Sequence, residues 1–155
     1  MSGHRHEARV SWTRGDDAFV DNRYSRRHHW TFDGEVVVPA SASPHVVPPP
    51  LSAADAVDPE EALVAAAASC HMLWFLSLAA DGGFVVEAYT DDAYGELERV
   101  SRGKLAFARI VLRPDIRFSG TELPGAAEIA ALHDAAHEAC YIANSLRCPV
   151  VVAAR

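Results

Sequence analysis

Cysteine, positive charge and an apolar leader are all scarce in this chain, and each scarcity excludes a class of protein. Three cysteines in 155 residues are too few for a disulfide-rich secreted scaffold, and the count is odd. The 14 Lys and Arg against 21 Asp and Glu leave a net charge of −7. A nucleic-acid binder needs a basic face to neutralise phosphates, and docking on an anionic membrane needs basic residues too. Met1 to Val10 hold no apolar core of a signal peptide. The expectation is a cytoplasmic protein whose thiols stay reduced outside a catalytic cycle. The longest apolar stretch, Ala62 to Ala80, is interrupted by Ser69, His71 and Ser77, so it reads as a buried helix rather than a membrane span. Ser69 lacks a Gly-x-Ser-x-Gly context, there is no Gly-rich phosphate loop, and Cys70 has no Cys-x-x-Cys partner. A hydrolase elbow and a thioredoxin-type motif are therefore unsupported.

What is present is apolar material for a core, at 50% of residues, in a length that suits one domain spanning 1–155. Residues 1–6 read as a loose tail. Strands are expected at Ala8 to Thr13, Arg26 to Phe32 and Glu35 to Val38, with Asp33-Gly34 turning a hairpin. A Pro-, Ser- and Ala-rich loop follows over 39–57, long enough to suggest function or the wrapping of a partner. A helix then opens on Asp58, Pro59 and Glu61, which fit an N-cap, a first helical position and a capping box. It runs to about Ala80 and stops at Asp81-Gly82-Gly83. Its centre is apolar nearly all round, so burial on most sides is expected, and a second subunit would supply it. Phe84 to Val100 and Leu105 to Phe118 form a hairpin about Arg102-Gly103. Pro124-Gly125 opens a second helix over about Ala126 to Ile142, and Cys148 to Ala153 closes as a strand. The order βββ-α-ββ-α-β is an α+β fold.

Cys70 lies mid-way along the first helix and Cys140 on the second. Two facing helices bring two sulfurs within disulfide range, so that one attacks and the other resolves. A free thiol ionises near pH 8.5, so a nucleophilic Cys70 needs a cation nearby. The best candidates lie in Arg26-Arg27-His28-His29 on the second strand, where alternation puts Arg26 and His28 on one face and Arg27 and His29 on the other. Glu61 has the capping role, which leaves Glu60 to anchor the arginine. Glu60 and Cys70 are ten positions apart, about 15 Å of helix. If they share a site, either the helix bends or a partner subunit completes it, and the apolar helix favours a symmetric dimer with antiparallel central helices. His133, His137 and Cys140 share the spacing of one helix face and are a weaker candidate for a metal site. His71 points about 100° away from Cys70 and is a poor base for it. Cys148, before Pro149, reads as structural.

The chain resembles the OsmC/Ohr family of thiol-dependent hydroperoxide reductases over roughly residues 20–153. The resemblance lies in Tyr24-Ser25-Arg26 through Trp30-Thr31-Phe32-Asp33-Gly34, in Asp58-Pro59-Glu60-Glu61, in Ser69-Cys70-His71-Met72, and in Ala136 to Cys140 running into Ile142-Ala143-Asn144-Ser145. It implies two small antiparallel sheets around two central helices in an intertwined homodimer with active sites at the interface. It also implies Cys70 as the peroxidatic cysteine, Cys140 as the resolving one, and Arg26 and Glu60 as their supporting pair. The long insert at 39–57 and Tyr141 after Cys140 place the chain in the general OsmC-like branch. The implied activity is reduction of organic hydroperoxides, and of hydrogen peroxide, in oxidative-stress defence. A lipoyl-type dithiol is the implied reductant, with no metal or flavin. The alternative is a non-catalytic protein binding a fatty or aromatic ligand on the same scaffold, marked by sulfurs far apart with no arginine nearby.

Overall fold

A computed structural model of the protein describes residues 3–153. The chain divides after Ala62 into two units, described in turn. Residues 3–6 are exposed and irregular; residues 1 and 2 of the expected tail lie outside the described residues.

The N-terminal unit holds β1 (Ala8–Ser11), β2 (His28–Phe32) and β3 (Val37–Ala40) in one antiparallel sheet of that order. Val10 lies opposite Trp30, and Trp30 opposite Val38. The Asp33-Gly34 turn forms as expected, but it carries Glu35 with it. Gly34 at φ 67° and Glu35 at φ 61° are both left-handed, a conformation that excludes Glu35 from a strand, so β3 starts two residues later than its sequence suggests. The 39–57 segment is closed rather than loose. Its first two residues extend β3, and Val57 bridges back to Ala40. The Ser41 hydroxyl accepts from the Ala53 N–H at 3.0 Å. Ala40, Ser41, Ser43, Ser52 and Ala53 are buried, so small residues let this loop supply its own core.

Helix α1 spans Pro59–Asp81. Its capping box is made: the Asp58 N–H donates to Glu61 Oε1 at 2.9 Å, and the Glu61 N–H donates to Asp58 Oδ1 at 2.8 Å. It ends where Gly83 turns left-handed at φ 79° and the Phe84 N–H reaches back to the Ala79 carbonyl at 2.9 Å. The expected burial on most sides is not met within one chain. Only Ala67, His71, Phe75 and Ala79 are buried, a single stripe at four-residue spacing, while Leu73 stays 61% exposed.

In the C-terminal unit the expected long hairpin is broken into two ladders. β4 (Val85–Asp91) pairs with β7 (Pro114–Ser119), and β5 (Tyr94–Ser101) pairs with β6 (Lys104–Leu112). Pro114 has no N–H for a ladder. The Arg113 N–H leaves the ladder to bond Asp91 Oδ1 at 2.7 Å, and the Arg113 Nε–H bonds the Asp92 carbonyl at 2.8 Å. Helix α2 (Ala126–Ala139), the short α3 (Tyr141–Ser145) and β8 (Val150–Val152) complete the chain. β8 lies parallel to β6, Val150 against Ile110. The class is α+β as expected, but the described strands form three sheets instead of two, and one contains a parallel pair.

Two cores result. Ala67, Ile110, Leu112 and Val150 make one, and Phe75, Ala79 and Ala136 the other. Gly95 on β5 lets the Phe107 ring lie across the strand. A Cβ there would run into the ring edge and come within 2.9 Å of Val64 Cγ2. Gly95→Ala is therefore expected to destabilise the fold by about 1–3 kcal/mol, the usual cost of overpacking. Chemical denaturation measures it, and an unchanged midpoint would refute the close packing.

Candidate active site

Cys70 and Cys140 come together. Both are free thiols, Cys70 half-buried and Cys140 fully buried. They are near enough for each to feel the other's charge. Burial pushes the Cys140 thiol up from its ordinary ionisation range; the Ala143 N–H opposes this and the neighbouring Cys70 adds to it.

Cys140 is not inside the second helix, as its spacing suggested. It sits at the break between α2 and α3, with φ −70° and ψ 110°. It closes one helix through its own N–H to the His137 carbonyl at 3.2 Å and opens the next by accepting from the Ala143 N–H at Sγ, 3.4 Å away. A sulfur takes the capping place that Ser or Asp usually holds.

His71 and His133 form a contact that sequence reasoning did not find. His71 Nε2 and His133 Nδ1 are 2.9 Å apart, the ring centroids lie 5.3 Å apart with 13° between planes, and the Phe75 ring centroid lies 4.5 Å from that of His133. Burial, then the proximity of His133 and His137, lowers the His71 pKa from 6.5 to about 4. Burial also lowers that of His133, against the opposing charge of Asp134. The available signal was His71's place on the Ala67, Phe75, Ala79 stripe, which turns it into the interior. The His133, His137 and Cys140 metal reading fails on this geometry. His133 Nδ1 is committed to His71, Cys140 lies past the helix end, and no group of three His, Cys, Asp or Glu is gathered for a metal among the described residues.

Arg26 and Glu60 belong to the N-terminal unit. Arg26 lies before β2 rather than on it, because its N–H is drawn to the Leu51 carbonyl at 2.7 Å. Its guanidinium folds back on the Asn22 carbonyl and Asn22 Oδ1, each at 2.9 Å, and on the Tyr24 carbonyl, with Cζ 3.8 Å from the Tyr24 ring centroid. A cavity of about 470 Å³ opens beside it, lined by Trp12, Phe19, Tyr24, Arg26 and His28 among others. Arg27 instead pairs with Asp55 at 2.7 Å on the surface, and Arg23 is exposed. Glu60 Oε2 is buried with no hydrogen-bond partner among the described residues, an arrangement that calls for a donor from elsewhere. Cys148 packs against the first core.

The family model of OsmC-like proteins matches residues 52–155. An OsmC-like protein of unknown function from Vibrio cholerae O1 biovar eltor is 53% identical at a TM-score of 0.94, over 97% of this chain and 99% of that one. An organic hydroperoxide resistance protein OsmC from Legionella pneumophila is 19% identical, with a TM-score of 0.68 over 98% and 96% of the two chains. An organic hydroperoxide resistance protein from Elizabethkingia anophelis is 16% identical, with a TM-score of 0.70 over 97% and 94%. At such identities the last two share the fold alone. A comparison with curated proteins finds no match.

Proposed function

This chain belongs to the OsmC-like protein family, and on that premise we propose that it is a thiol-dependent peroxidase acting on organic hydroperoxides. The observation that carries the proposal is the nearness of two reduced thiols, one half-buried and one enclosed. Sulfurs far apart, with no arginine nearby, would have favoured a binding protein.

Oxidation to the disulfide balances with the peroxide and the two thiols. The Cys70 thiolate attacks the distal peroxide oxygen, the O–O bond breaks, and the alkoxide leaves to take a proton. Cys70 is then a sulfenic acid. The Cys140 sulfur attacks it, a disulfide forms and water leaves. An external dithiol, of lipoyl type by family precedent, reduces the disulfide by exchange. Arg26 is proposed to stabilise the thiolate and the departing alkoxide, and Glu60 to hold Arg26, roles taken from the family motif. A homodimer is part of the proposal: Leu73 and the other exposed apolar positions of α1 are surface that a second copy covers.

The test is a peroxidase assay with an organic hydroperoxide and hydrogen peroxide side by side, driven by dihydrolipoamide or by thioredoxin. The organic substrate with dihydrolipoamide is expected to turn over fastest. No consumption of either peroxide would end the proposal. Analytical ultracentrifugation is expected to give twice the chain mass, and a monomer at micromolar concentration would remove the shared site.

A further inference from the structure

We infer that the His71–His133 hydrogen bond is a positioning device for the thiol pair, setting the register of α1 against α2 so that Cys140 meets Cys70. The inference extends the peroxidase reading to the closing of its disulfide, and its test needs no peroxide.

His71 follows Cys70 directly on α1, and His133 stands seven residues before Cys140 on α2, two helical turns away. The pair therefore ties the stretch of α1 that carries Cys70 to the helix that ends at Cys140. Around it the packing is apolar, with Trp74, Leu78 and Leu132 among the side chains set against the buried residues. Ala79 and Ala136 are fully buried in the same core, and Phe75 is its one large buried side chain. Apolar burial is non-directional. A hydrogen bond has direction and a fixed length. Disulfide closure is demanding in the same way, requiring Cα atoms roughly 4.4–6.8 Å apart and a dihedral near 90°. Cys140 adds to the demand because it ends α2 and caps α3 at once, so a shift of α2 moves its sulfur directly.

The arrangement asks for two neutral rings. A neutral imidazole has one donor and one acceptor nitrogen, so one histidine gives its N–H to the other. His71 is 1% exposed, where a charge is costly. Neither ring serves as a base for Cys70 in this role. His71 acts through the helix that carries the cysteine.

The experiment measures the equilibrium of the Cys70–Cys140 pair with glutathione. One oxidised glutathione takes two electrons from the two thiols, giving the protein disulfide and two reduced glutathiones, and mass spectrometry locates the bond. The H71L/H133F double variant replaces both imidazoles by apolar groups, leaving no buried polar atom orphaned. Its equilibrium constant for disulfide formation is expected to fall by about ten- to a hundredfold, the range commanded by displacing reacting groups by about an ångström. His133→Asn, whose amide stands where Nδ1 stood, is expected to stay near the wild-type value. A merely structural pair would lower the melting temperature in step with lost packing and leave the thiol equilibrium of the folded protein unchanged, and that result overturns the inference. If the double variant does not fold, His133→Leu, which alters only the half-buried partner, gives the same reading. A wild type without peroxidase activity but with the variant difference intact would refute the peroxidase reading and keep this one. The converse result would do the reverse.

Discussion

Cys70→Ser is expected to lose peroxide turnover to the uncatalysed background, while Cys140→Ser keeps a single turnover and stops. The difference follows from where the two sulfurs sit. Cys140 is fully buried, and burial raises its pKa, so little of it is thiolate at neutral pH and no peroxide reaches it directly. Cys70 is half-buried and is the member of the pair open to substrate. A serine hydroxyl at position 70 has neither the acidity of a thiol nor an oxidation state to receive the peroxide oxygen. With Cys140 replaced, Cys70 still takes that oxygen, and the sulfenic acid has no partner to condense with. Rapid mixing with one equivalent of an organic hydroperoxide, followed by dimedone trapping, reads both variants. The expected result is one labelled site at Cys70 in Cys140→Ser and no label in Cys70→Ser. Full activity in Cys70→Ser, or label at Cys140, would reverse or remove the assigned roles.

Much of the fold was legible because its signals are local. Asp58, Pro59 and Glu61 announce the start of α1, and both bonds of the capping box are made. Gly83 announces its end. Asp33-Gly34 and Arg102-Gly103 mark turns where the chain reverses. What the sequence hid depends on distant partners. The apolar spacing of Ile129, Leu132, Ala136 and Cys140 continues without a glycine or proline, so nothing in it marks the break at Cys140. Likewise, alternation on both sides of Asp92 conceals the division between β4 and β5. The parallel placement of β8 depends on β6, about forty residues earlier, which no local pattern encodes.

The candidate site divides along the same line. Cys70 and Cys140 were found by residue type and helical context, and the fold brings them near one another. Arg26 was found by motif but assigned to a strand it does not join, because a carbonyl of the Pro-rich segment claims its N–H. His71 and His133 are 62 positions apart. Each was weighed by its neighbours in sequence, one as a poor base and the other as a metal ligand. Their pairing is a property of helix packing, which only the three-dimensional structure supplies.

That pairing makes stability depend on acidity, and the direction follows from the histidine itself. Folding lowers the His71 pKa from 6.5 to about 4, so the folded state resists a proton that the unfolded chain accepts. Between these two values the unfolded state binds more protons, and stability falls as the pH falls. Above pH 6.5 the group adds no penalty, and below about pH 4 the penalty is complete. A shift of this size corresponds to about 3 kcal/mol, a large share of an ordinary domain's stability. His133, also lowered, acts in the same direction. Asp55 and Glu96 are held low by hydrogen bonds from Arg27 and Arg109, so they too lose stability on acidification, but as exposed pairs they contribute little. Comparison with H71L/H133F separates the contributions, because the carboxylates remain in both proteins. Urea unfolding between pH 7 and pH 4.5 is expected to give the wild type a steeper loss, while the double variant keeps only the shallower slope of its carboxylates. Equal slopes would mean that His71 takes up its proton in the folded state as readily as in the unfolded chain. The hydrogen bond to His133 would then yield to protonation instead of opposing it.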